Sequence, residues 1–345
     1  MKILICPDSY KGTLTAPEAA RAIAAGVVSA RPEVEVELLP VGDGGEGTAE
    51  AVASVLTDIS WISCRTLDPL HRPVTARYAV KGGKTALIES AAASGLTLVS
   101  PEERDIMKAD TYGTGLLIAD AYHRGISDFI ICLGGTATCD GGYGAYLALK
   151  ELTDTKEFYK DTKFTLLTDV GNPLCGPQGA AAVFGPQKGA TPDQIPLLDK
   201  RLREIAGEYA VINGIDVSNL KYAGAAGGLA GMLMACFNAM PLQGIDKVLE
   251  MLEFEKRLSD TDLVITGEGR ADATTLNGKA AIGILNTVKT HNIPVALIAG
   301  AVSDRELLLK AGFKYVEQAT PSERPPSISA AEYLTMAAAR LAKTL

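Results

Sequence analysis

Short apolar runs, each followed by a polar or glycine-rich loop, organise the first part of the chain. Residues 3–6 form such a run, and the next segment places apolar residues at helical spacing behind a Thr15/Glu18 pair that has the spacing of a capping box. Residues 33–40 then alternate acidic and apolar side chains, which predicts a strand with one solvated face at a sheet edge. The order strand, helix, strand predicts an α/β fold.

The last third of the chain repeats this pattern. Apolar runs at 263–265, 295–298 and 315–316 are separated by helical segments, and a second capping-box pair, Ser329 and Glu332, precedes the final one. Five short apolar strands with intervening helices, one of them at an edge, are typical of a flavodoxin-like doubly wound parallel sheet.

The middle of the chain has a different sequence pattern, because its predicted strands are joined by long glycine-rich segments. These strands lie near 74–80, 85–89, 129–133, 165–168 and 181–184, and residues 222–235 are expected to form a tightly packed helix. We interpret this region as a second α/β domain inserted into the first. The predicted division is 1–62 plus 241–345 for the flavodoxin-like domain and 63–240 for the insertion.

Composition narrows the classes of partner. The chain of 345 residues carries a net charge of −8, which argues against a nucleic-acid or anionic-membrane partner. No apolar stretch approaches the roughly 20 residues of a membrane span. The six cysteines form no Cys-x-x-Cys pair and the three histidines show no metal-ligand spacing. We therefore expect reduced thiols in a cytoplasmic protein, either a monomer or a homodimer.

The segment LGGTATCDGGYG, residues 133–144, carries the strongest chemical signal. It follows the apolar run 129–132, and its bare backbone N–H groups can form a nest for an anion at the start of a helix. Asp140 would then lie beside bound phosphates, which suggests Mg²⁺ or a proton-accepting role. The alternative is a glycine-rich turn that Asp140 merely caps.

Better-known nucleotide motifs are absent. YAVKGGKT, residues 78–85, lacks the first glycine of a Walker A loop, and we interpret it as a hairpin turn. GEGRAD, residues 267–272, has no third glycine of a dinucleotide-binding fingerprint, and no protein-kinase motif is present.

Other polar side chains follow predicted strands, where open α/β sheets bind ligands. Asp43 and Glu46 begin a predicted helix, where they could complement the helix dipole or hold a metal. The remaining candidates are Lys11, Asp169, Asn172, Gln187, Lys188, Glu268, Arg270 and Asp272. Structural roles are favoured for His71, His123 and His291.

Ten blocks in the chain, taken in order, resemble the bacterial glycerate kinases of the type-1 family. They are PDSYKGTLTA, GDGGEGTAEAV, DPLHRPV, IESAAASGL, TYGTG, GGTATCDGG, DVGNPLCGP, VFGPQKGA, GAAGGLAG and VITGEGRAD. The resemblance spans nearly the whole chain. It implies ATP-dependent phosphorylation of D-glycerate with Mg²⁺, with 2-phosphoglycerate favoured over 3-phosphoglycerate, by a flavodoxin-like domain with an inserted second domain.

In phosphoryl transfer the protein mainly positions the reactants and neutralises charge. We therefore assign each candidate residue one of these roles. Asp169 is the expected acceptor of the glycerate hydroxyl proton, with Asp140 as second choice, and Lys188 is expected to neutralise developing charge. The expected ATP-phosphate ligands are Gly134, Gly135, Thr136 and Thr138; the expected Mg²⁺ ligands are Asp43 and Glu268; and the expected glycerate ligands are Ser9, Lys11, Asn172, Gln187 and Arg270.

Two other classes of function remain as alternatives. A nicotinamide-dependent dehydrogenase could use the same kind of sheet, although the failed fingerprint weighs against it. A noncatalytic regulator could bind a sugar acid or a nucleotide, although such a protein would not need so many acids at strand ends.

Overall fold

The computed structural model describes residues 1–276, 278–321 and 327–345. Eleven strands lie in this part of the chain: β1 (Lys2–Ile5), β2 (Glu35–Leu38), β3 (Ile59–Leu67), β4 (Pro73–Lys81), β5 (Thr85–Glu89), β6 (Asp128–Cys132), β7 (Lys163–Leu167), β8 (Met240–Leu242), β9 (Leu263–Ala271), β10 (Val295–Val302) and β11 (Tyr315–Gln318).

The described residues also form fourteen α-helices. These are α1 (Ala16–Ala30), α2 (Thr48–Ala53), α3 (Ala91–Ser94), α4 (Tyr112–His123), α5 (Tyr143–Leu152), α6 (Thr155–Asp161), α7 (Ala180–Phe184), α8 (Gln194–Asn213), α9 (Leu229–Phe237), α10 (Gly244–Met251), α11 (Phe254–Arg257), α12 (Ala280–Lys289), α13 (Arg305–Ala311) and α14 (Ala330–Ala342). Short 3₁₀ turns include Pro101–Glu103, Pro186–Lys188 and Ala225–Gly228.

The chain divides into two compact units. The first unit contains Met1–Asp43, Glu50–Thr57 and Ile245–Leu345, and the second contains Gly44–Ala49 and Asp58–Gly244. These units differ from the division predicted from sequence in residues 44–49, 58–62 and 241–244, which lie in the second unit.

The first unit is built on a five-stranded parallel sheet. Its order is β11-β10-β9-β1-β2, so that the strands, counted along this unit, follow the order 2-1-3-4-5 in reverse. That order is the one found in flavodoxin-like folds, and the prediction of this fold is confirmed. The acid-rich strand β2 occupies a sheet edge, as its alternating pattern predicted.

Helices α1 and α14 pack closely in this unit because small residues line their contact. A Cβ atom on Gly26 would lie 2.2 Å from the backbone oxygen of Thr335, so only glycine allows this approach. Both predicted capping boxes are present: the side chains of Thr15 and Ser329 accept hydrogen bonds from the third residue of α1 and α14, respectively. Sequence patterns therefore specified both the start and the buried face of these helices.

The second unit is built on a six-stranded mixed sheet in the order β3-β4-β5-β6-β7-β8. The strands β3, β4 and β5 pair antiparallel, and β5 through β8 pair parallel. Gly82 and Gly83 turn β4 into β5, which confirms the hairpin turn. Aromatic packing fills one face, where Phe129 stacks on Phe164 with ring centroids 4.8 Å apart.

Some predicted elements of the second unit were wrong. Residues 181–184, expected as a strand, belong to helix α7, because a short apolar run does not distinguish a buried helix from a buried strand. The helix expected over 222–235 begins only at Leu229, after a turn with left-handed backbone at Ala226 and Gly227. Strands β3 and β8 were not predicted.

No helix in the described ranges is both long enough and apolar enough to cross a bilayer.

Candidate active site

The loops that follow β5, β6 and β7 lie at one edge of the second unit's sheet. These strands are parallel, so their carboxyl ends coincide, and open α/β sheets bind ligands at such an edge. Ser90, just after β5, donates from both its backbone N–H and its hydroxyl to the backbone oxygen of Cys132 at the end of β6. The backbone N–H of Leu133 bonds to Leu167 at the end of β7. The three loops are therefore held side by side at their origins.

Residues 133–142, which we call the glycine loop, approach neighbouring backbone closely. A Cβ atom on Gly134 would lie 2.6 Å from the Cα atom of Gly45. Gly135 adopts a left-handed conformation with φ 79°, and its oxygen accepts the N–H of Leu96 at 2.8 Å. Glycine at both positions is thus required by packing and backbone conformation.

The segment GAAGG, residues 224–228, packs against the glycine loop. Gly227, with φ 66°, would place a Cβ atom only 2.0 Å from the backbone oxygen of Thr138, and its own oxygen accepts the N–H of Gly141 at 2.9 Å. The turn at Gly227 therefore packs directly against the backbone of the glycine loop.

Asp140 is buried and acts as a hub of hydrogen bonds. Its Oδ2 atom accepts the N–H and the hydroxyl of Thr111, at 2.9 and 2.7 Å, and the N–H of Gly144 at 3.0 Å; Oδ1 accepts the N–H of Gly142 at 3.2 Å. Burial raises the pKa of this carboxyl, and the bonds from Thr111 and Gly144 oppose that rise. This bonding matches the alternative interpretation of Asp140 as the cap of the turn that begins α5.

Lys188 reaches the glycine loop from the 3₁₀ turn Pro186–Lys188. Its Nζ atom donates to the backbone oxygen of Thr138 at 2.7 Å and to the hydroxyl oxygen of Thr136 at 3.1 Å. The side chain is 4% exposed, and burial lowers its pKa. The adjacent Cys139 provides no counter-charge, because burial raises the pKa of its thiol to about 11. The predicted charge-neutralising lysine therefore lies directly on the predicted phosphate loop.

The remaining second-unit candidates lie on the neighbouring loops. Asp169 is exposed, two residues beyond β7. Asn172 is half-buried and donates from Nδ2 to the backbone oxygen of Gln178 at 2.8 Å, so its amide is partly committed to the loop itself. Gln187 is exposed beside Lys188.

The first unit gathers a separate set of side chains at the carboxyl edge of its own sheet. The backbone N–H of Val41 bonds to the oxygen of Pro7 at 3.0 Å, and that of Asp8 bonds to Gly267 at 2.9 Å. These bonds hold the loops after β1 and β2 against β9. The predicted residues Ser9, Lys11, Asp43, Glu268 and Arg270 follow on these three segments.

Asp8, which the sequence interpretation did not single out, is the central acid of this edge. Its Oδ1 atom accepts the N–H of Ser9 at 2.6 Å. Burial raises the pKa of Asp8, repulsion from Asp43 raises it further, and the Ser9 bond and Lys11 oppose the rise. The available signal was its position, because Asp8 is the first acid after the first strand.

Glu268 and Arg270 are both engaged by neighbouring groups. Glu268 is 8% exposed and accepts the hydroxyl of Thr275 at 2.7 Å, with Lys279 Nζ at 3.5 Å. Burial raises its pKa. Arg270 is exposed and pairs with Asp272 at 3.3 Å.

The acids of the first unit fit a magnesium ion only in part. Within the described ranges, no group of three or more histidine, cysteine, aspartate or glutamate side chains is arranged to hold a metal. Mg²⁺ commonly binds through one or two carboxylates and completes its shell with water and substrate phosphates. The mutual repulsion of Asp8 and Asp43 is what a cation would relieve, so a site of that kind suits these residues.

Two further residues of the second unit contact predicted site residues or their neighbours but were not predicted from the sequence. Thr111 holds Asp140, and its hydroxyl oxygen also accepts the N–H of Ala145 at 3.0 Å. Arg104 packs against Gly189, the residue after Lys188. Arg104 stands in the charged run PEER, which resembles any solvated loop, so no local pattern distinguished it.

Comparisons with known proteins extend over both units. The model described as the glycerate kinase family matches residues 3–157 and 150–345. A glycerate kinase of Bacillus subtilis (strain 168) is 38% identical, covering 100% of this chain and 98% of the relative. The glycerate 2-kinase of Escherichia coli (strain K12) is 39% identical, covering 88% and 86%. A crystal structure from Salmonella typhimurium LT2, assigned as glycerate kinase 2, superposes with a TM-score of 0.84 at 38% identity over 100% of this chain and 98% of that one.

Proposed function

Since the chain belongs to the glycerate kinase family, it is a kinase that acts on glycerate, and we propose that it transfers the γ-phosphoryl group of ATP to the 2-hydroxyl of D-glycerate with the help of Mg²⁺. The observation that carries the donor side of this proposal is the buried Lys188 amine bound to the glycine loop at the carboxyl end of β6. The name of the Escherichia coli relative supports the choice of the 2-hydroxyl.

The glycine loop is our proposed site for the ATP phosphates. Gly134 and Gly135 bring bare backbone to the surface of the loop, and Thr136 and Thr138 add hydroxyl groups. Helix α5 begins at Tyr143, so its positive end lies just after this loop. Lys188 would neutralise charge that develops on the phosphoryl oxygens during transfer.

Asp169 is our proposed acceptor of the hydroxyl proton. It is exposed at the carboxyl end of β7, next to the strand that leads into the glycine loop. Asp140 is a poorer choice, because both its oxygens already accept protein donors. We assign Asp140 a positioning role: it fixes the start of α5 and the end of the glycine loop.

The first unit supplies the proposed metal ligands. Asp43 and Glu268 would hold Mg²⁺, with Asp8 as a third acid near them. Ser9, Lys11 and Arg270 are proposed to bind the glycerate carboxylate, for which a guanidinium offers two parallel donors. Asn172 and Gln187 are proposed to orient the substrate.

One assay tests the reaction as a whole. The protein is incubated with ATP, Mg²⁺ and D-glycerate, and both ADP and the phosphoglycerate isomer are measured. We expect ADP release that requires D-glycerate, with 2-phosphoglycerate as product. 3-Phosphoglycerate would correct the position of transfer, and ADP release that ignores D-glycerate would contradict the proposal.

Matched lysine variants connect the assay to the structure. Lys188→Met should lower turnover by about a hundredfold or more, the size expected when a preorganised charge is lost. Lys150→Met, an exposed lysine in the last turn of α5, should leave turnover unchanged. We also place the protein in the cytoplasm, in keeping with its six buried thiols, as a monomer or homodimer.

A further inference from the structure

Two buried polar atoms of the second unit lack a hydrogen-bond partner. Across the described residues, three side-chain atoms are buried in this way: Thr138 Oγ1, Arg104 Nε and Tyr333 Oη. Buried polar groups are nearly always hydrogen-bonded, and each exception calls for an explanation. Thr138 is 0% exposed and lies in the glycine loop, so water in bulk does not satisfy its hydroxyl.

Lys188 adds a buried positive charge at the same place, and the Asp140 carboxyl acts on this charge through space. Its amine has three N–H donors, and the two bonds to the glycine loop go to uncharged oxygens. No carboxylate of the described residues lies within 4.0 Å of it. The Asp140 oxygens are engaged by backbone and hydroxyl donors, so the Lys188 amine has no anion in direct contact, and it is held against the residue whose hydroxyl is unsatisfied.

Arg104 brings a second cation to this region. A Cβ atom on Gly189 would lie 3.1 Å from Arg104 Cβ, so the arginine packs on the residue that follows Lys188. Its neighbour Glu103 pairs with Arg72, whereas Arg104 has no ion pair within the described ranges. The turn that carries Lys188 thus contacts both Thr138 and Arg104, and each of these two residues has a buried polar atom without a hydrogen-bond partner.

We propose that Thr138, Lys188 and Arg104 bind a phosphoryl dianion, with Arg104 as a ligand of the transferred or donated phosphate. Two positively charged side chains suit a phosphoryl dianion, which carries two negative charges, better than a carboxylate, which carries one. The proposal deepens the proposed function and rests on it for the source of the phosphate, either the nucleotide or the phosphorylated product. The binding itself can be measured without turnover.

Inorganic phosphate is the probe, added to the full chain without nucleotide or glycerate. We expect saturable binding by calorimetry and a matching rise in melting temperature. Thr138→Val removes the hydroxyl but keeps the backbone oxygen that Lys188 uses. It should weaken phosphate binding about tenfold or more, while the melting temperature without phosphate stays equal or rises, because an unsatisfied buried group has been removed.

That combination separates a ligand site from a structural hydroxyl. If Thr138 served only the fold, the variant would melt lower without phosphate and would bind phosphate as the wild type does, and either result overturns the proposal. Thr165→Val, at a buried threonine within β7, is the matched control and should leave phosphate binding unchanged.

Arg104 is tested in the same way. Arg104→Gln should weaken phosphate binding about tenfold or more, since a bond to a charged group is lost. Arg65→Gln, at an exposed arginine of β3, is the control and should have no effect. Unchanged binding by Arg104→Gln would remove Arg104 from the site and overturn the proposal.

Competition identifies the source of the anion. Displacement of phosphate by ADP or by 2-phosphoglycerate supports a phosphoryl site and says which ligand fills it, whereas displacement by D-glycerate alone would show a carboxylate site and overturn the proposal. A parallel kinase assay keeps the two hypotheses apart. Phosphate binding that depends on Thr138 in a protein without glycerate kinase turnover would defeat only the proposed reaction; turnover in a protein that does not bind phosphate would defeat only this inference.

Discussion

Thr111 donates two hydrogen bonds to the same carboxylate oxygen of Asp140. Its backbone N–H lies 2.9 Å and its hydroxyl 2.7 Å from Oδ2, and the N–H of Gly144 approaches that oxygen as well, at 3.0 Å. The pair therefore joins the loop before α4 to the loop before α5. This arrangement uses both carboxylate oxygens of Asp140 as hydrogen-bond acceptors within the fold.

Asp140→Asn should destabilise the second unit. The new amide group would place N–H donors against the donors of Thr111, Gly142 or Gly144, leaving buried groups unsatisfied at a cost of about 2–4 kcal/mol. The single tryptophan, Trp61, lies on β3 in this unit, so its fluorescence during urea unfolding is a suitable probe. Asp193→Asn, at an exposed acid before α8 whose side chain makes no cap bond, should change the free energy of unfolding by less than about 0.5 kcal/mol. Equal stability of the two variants would remove the structural role of Asp140.

Asp169→Asn should instead act on turnover. If Asp169 accepts the hydroxyl proton, the amide cannot replace it, and kcat should fall by about a hundredfold or more with a smaller change in KM. Steady-state kinetics with D-glycerate as the varied substrate measures this. Asp161→Asn, at an exposed acid that ends α6, should keep wild-type kinetics. Near-normal kcat in Asp169→Asn would leave the proton acceptor to be found elsewhere.

The sequence allowed the fold to be predicted wherever a pattern was long or capped. The alternating strand β2 and the two capping-box helices were located from local signals, since edge exposure and helix starts leave marks in adjacent residues. The run AAAVF of α7 was misread as a strand because five apolar residues have no period of their own. Strand β8 was not predicted because it is only three residues long and contains Pro241, a residue that argues against a strand.

The candidate site was predictable only where residues follow strands. Thr136, Thr138 and Lys188 were selected from glycine-rich motifs, and the structure places them in contact. Arg104 and Thr111 were missed because their contacts are with residues far along the chain. The hydrogen bonds of Asp140 could not be predicted either, because an acid among glycines has the same local sequence whether it binds a ligand or caps a turn.

Asp8 should give the first unit a pH-dependent stability. Burial and the nearby Asp43 raise its pKa in the folded protein above the value of about 3.9 for an unfolded chain. Between these two values the folded state binds more protons than the unfolded state, so stability falls as pH rises through this window. Calorimetric melting at several pH values measures it.

The variant Asp8→Asn tests that sign. It keeps an oxygen for the N–H of Ser9 but removes the charge, so it should melt like the wild type near pH 4 and at a higher temperature at pH values above the raised pKa. A melting-temperature difference that does not change with pH would show that the Asp8 carboxyl has an ordinary pKa. Catalysis should fall in this variant if Asp8 helps to hold a cation.

Two glycines of the second unit should respond to alanine in opposite directions. Gly134→Ala would force a methyl group to within 2.6 Å of the Gly45 backbone, so the glycine loop must shift. We expect a loss of about 1–3 kcal/mol, as for overpacking, and a marked loss of phosphoryl transfer. Gly207→Ala lies in the exposed face of α8 with no atom within 4 Å of the new methyl group, and should stabilise the unit by about 0.5–1 kcal/mol without changing kinetics. Urea unfolding followed by Trp61 fluorescence, together with the ADP assay, measures both variants. Full activity in Gly134→Ala would show that the close backbone approach is not needed for the reaction.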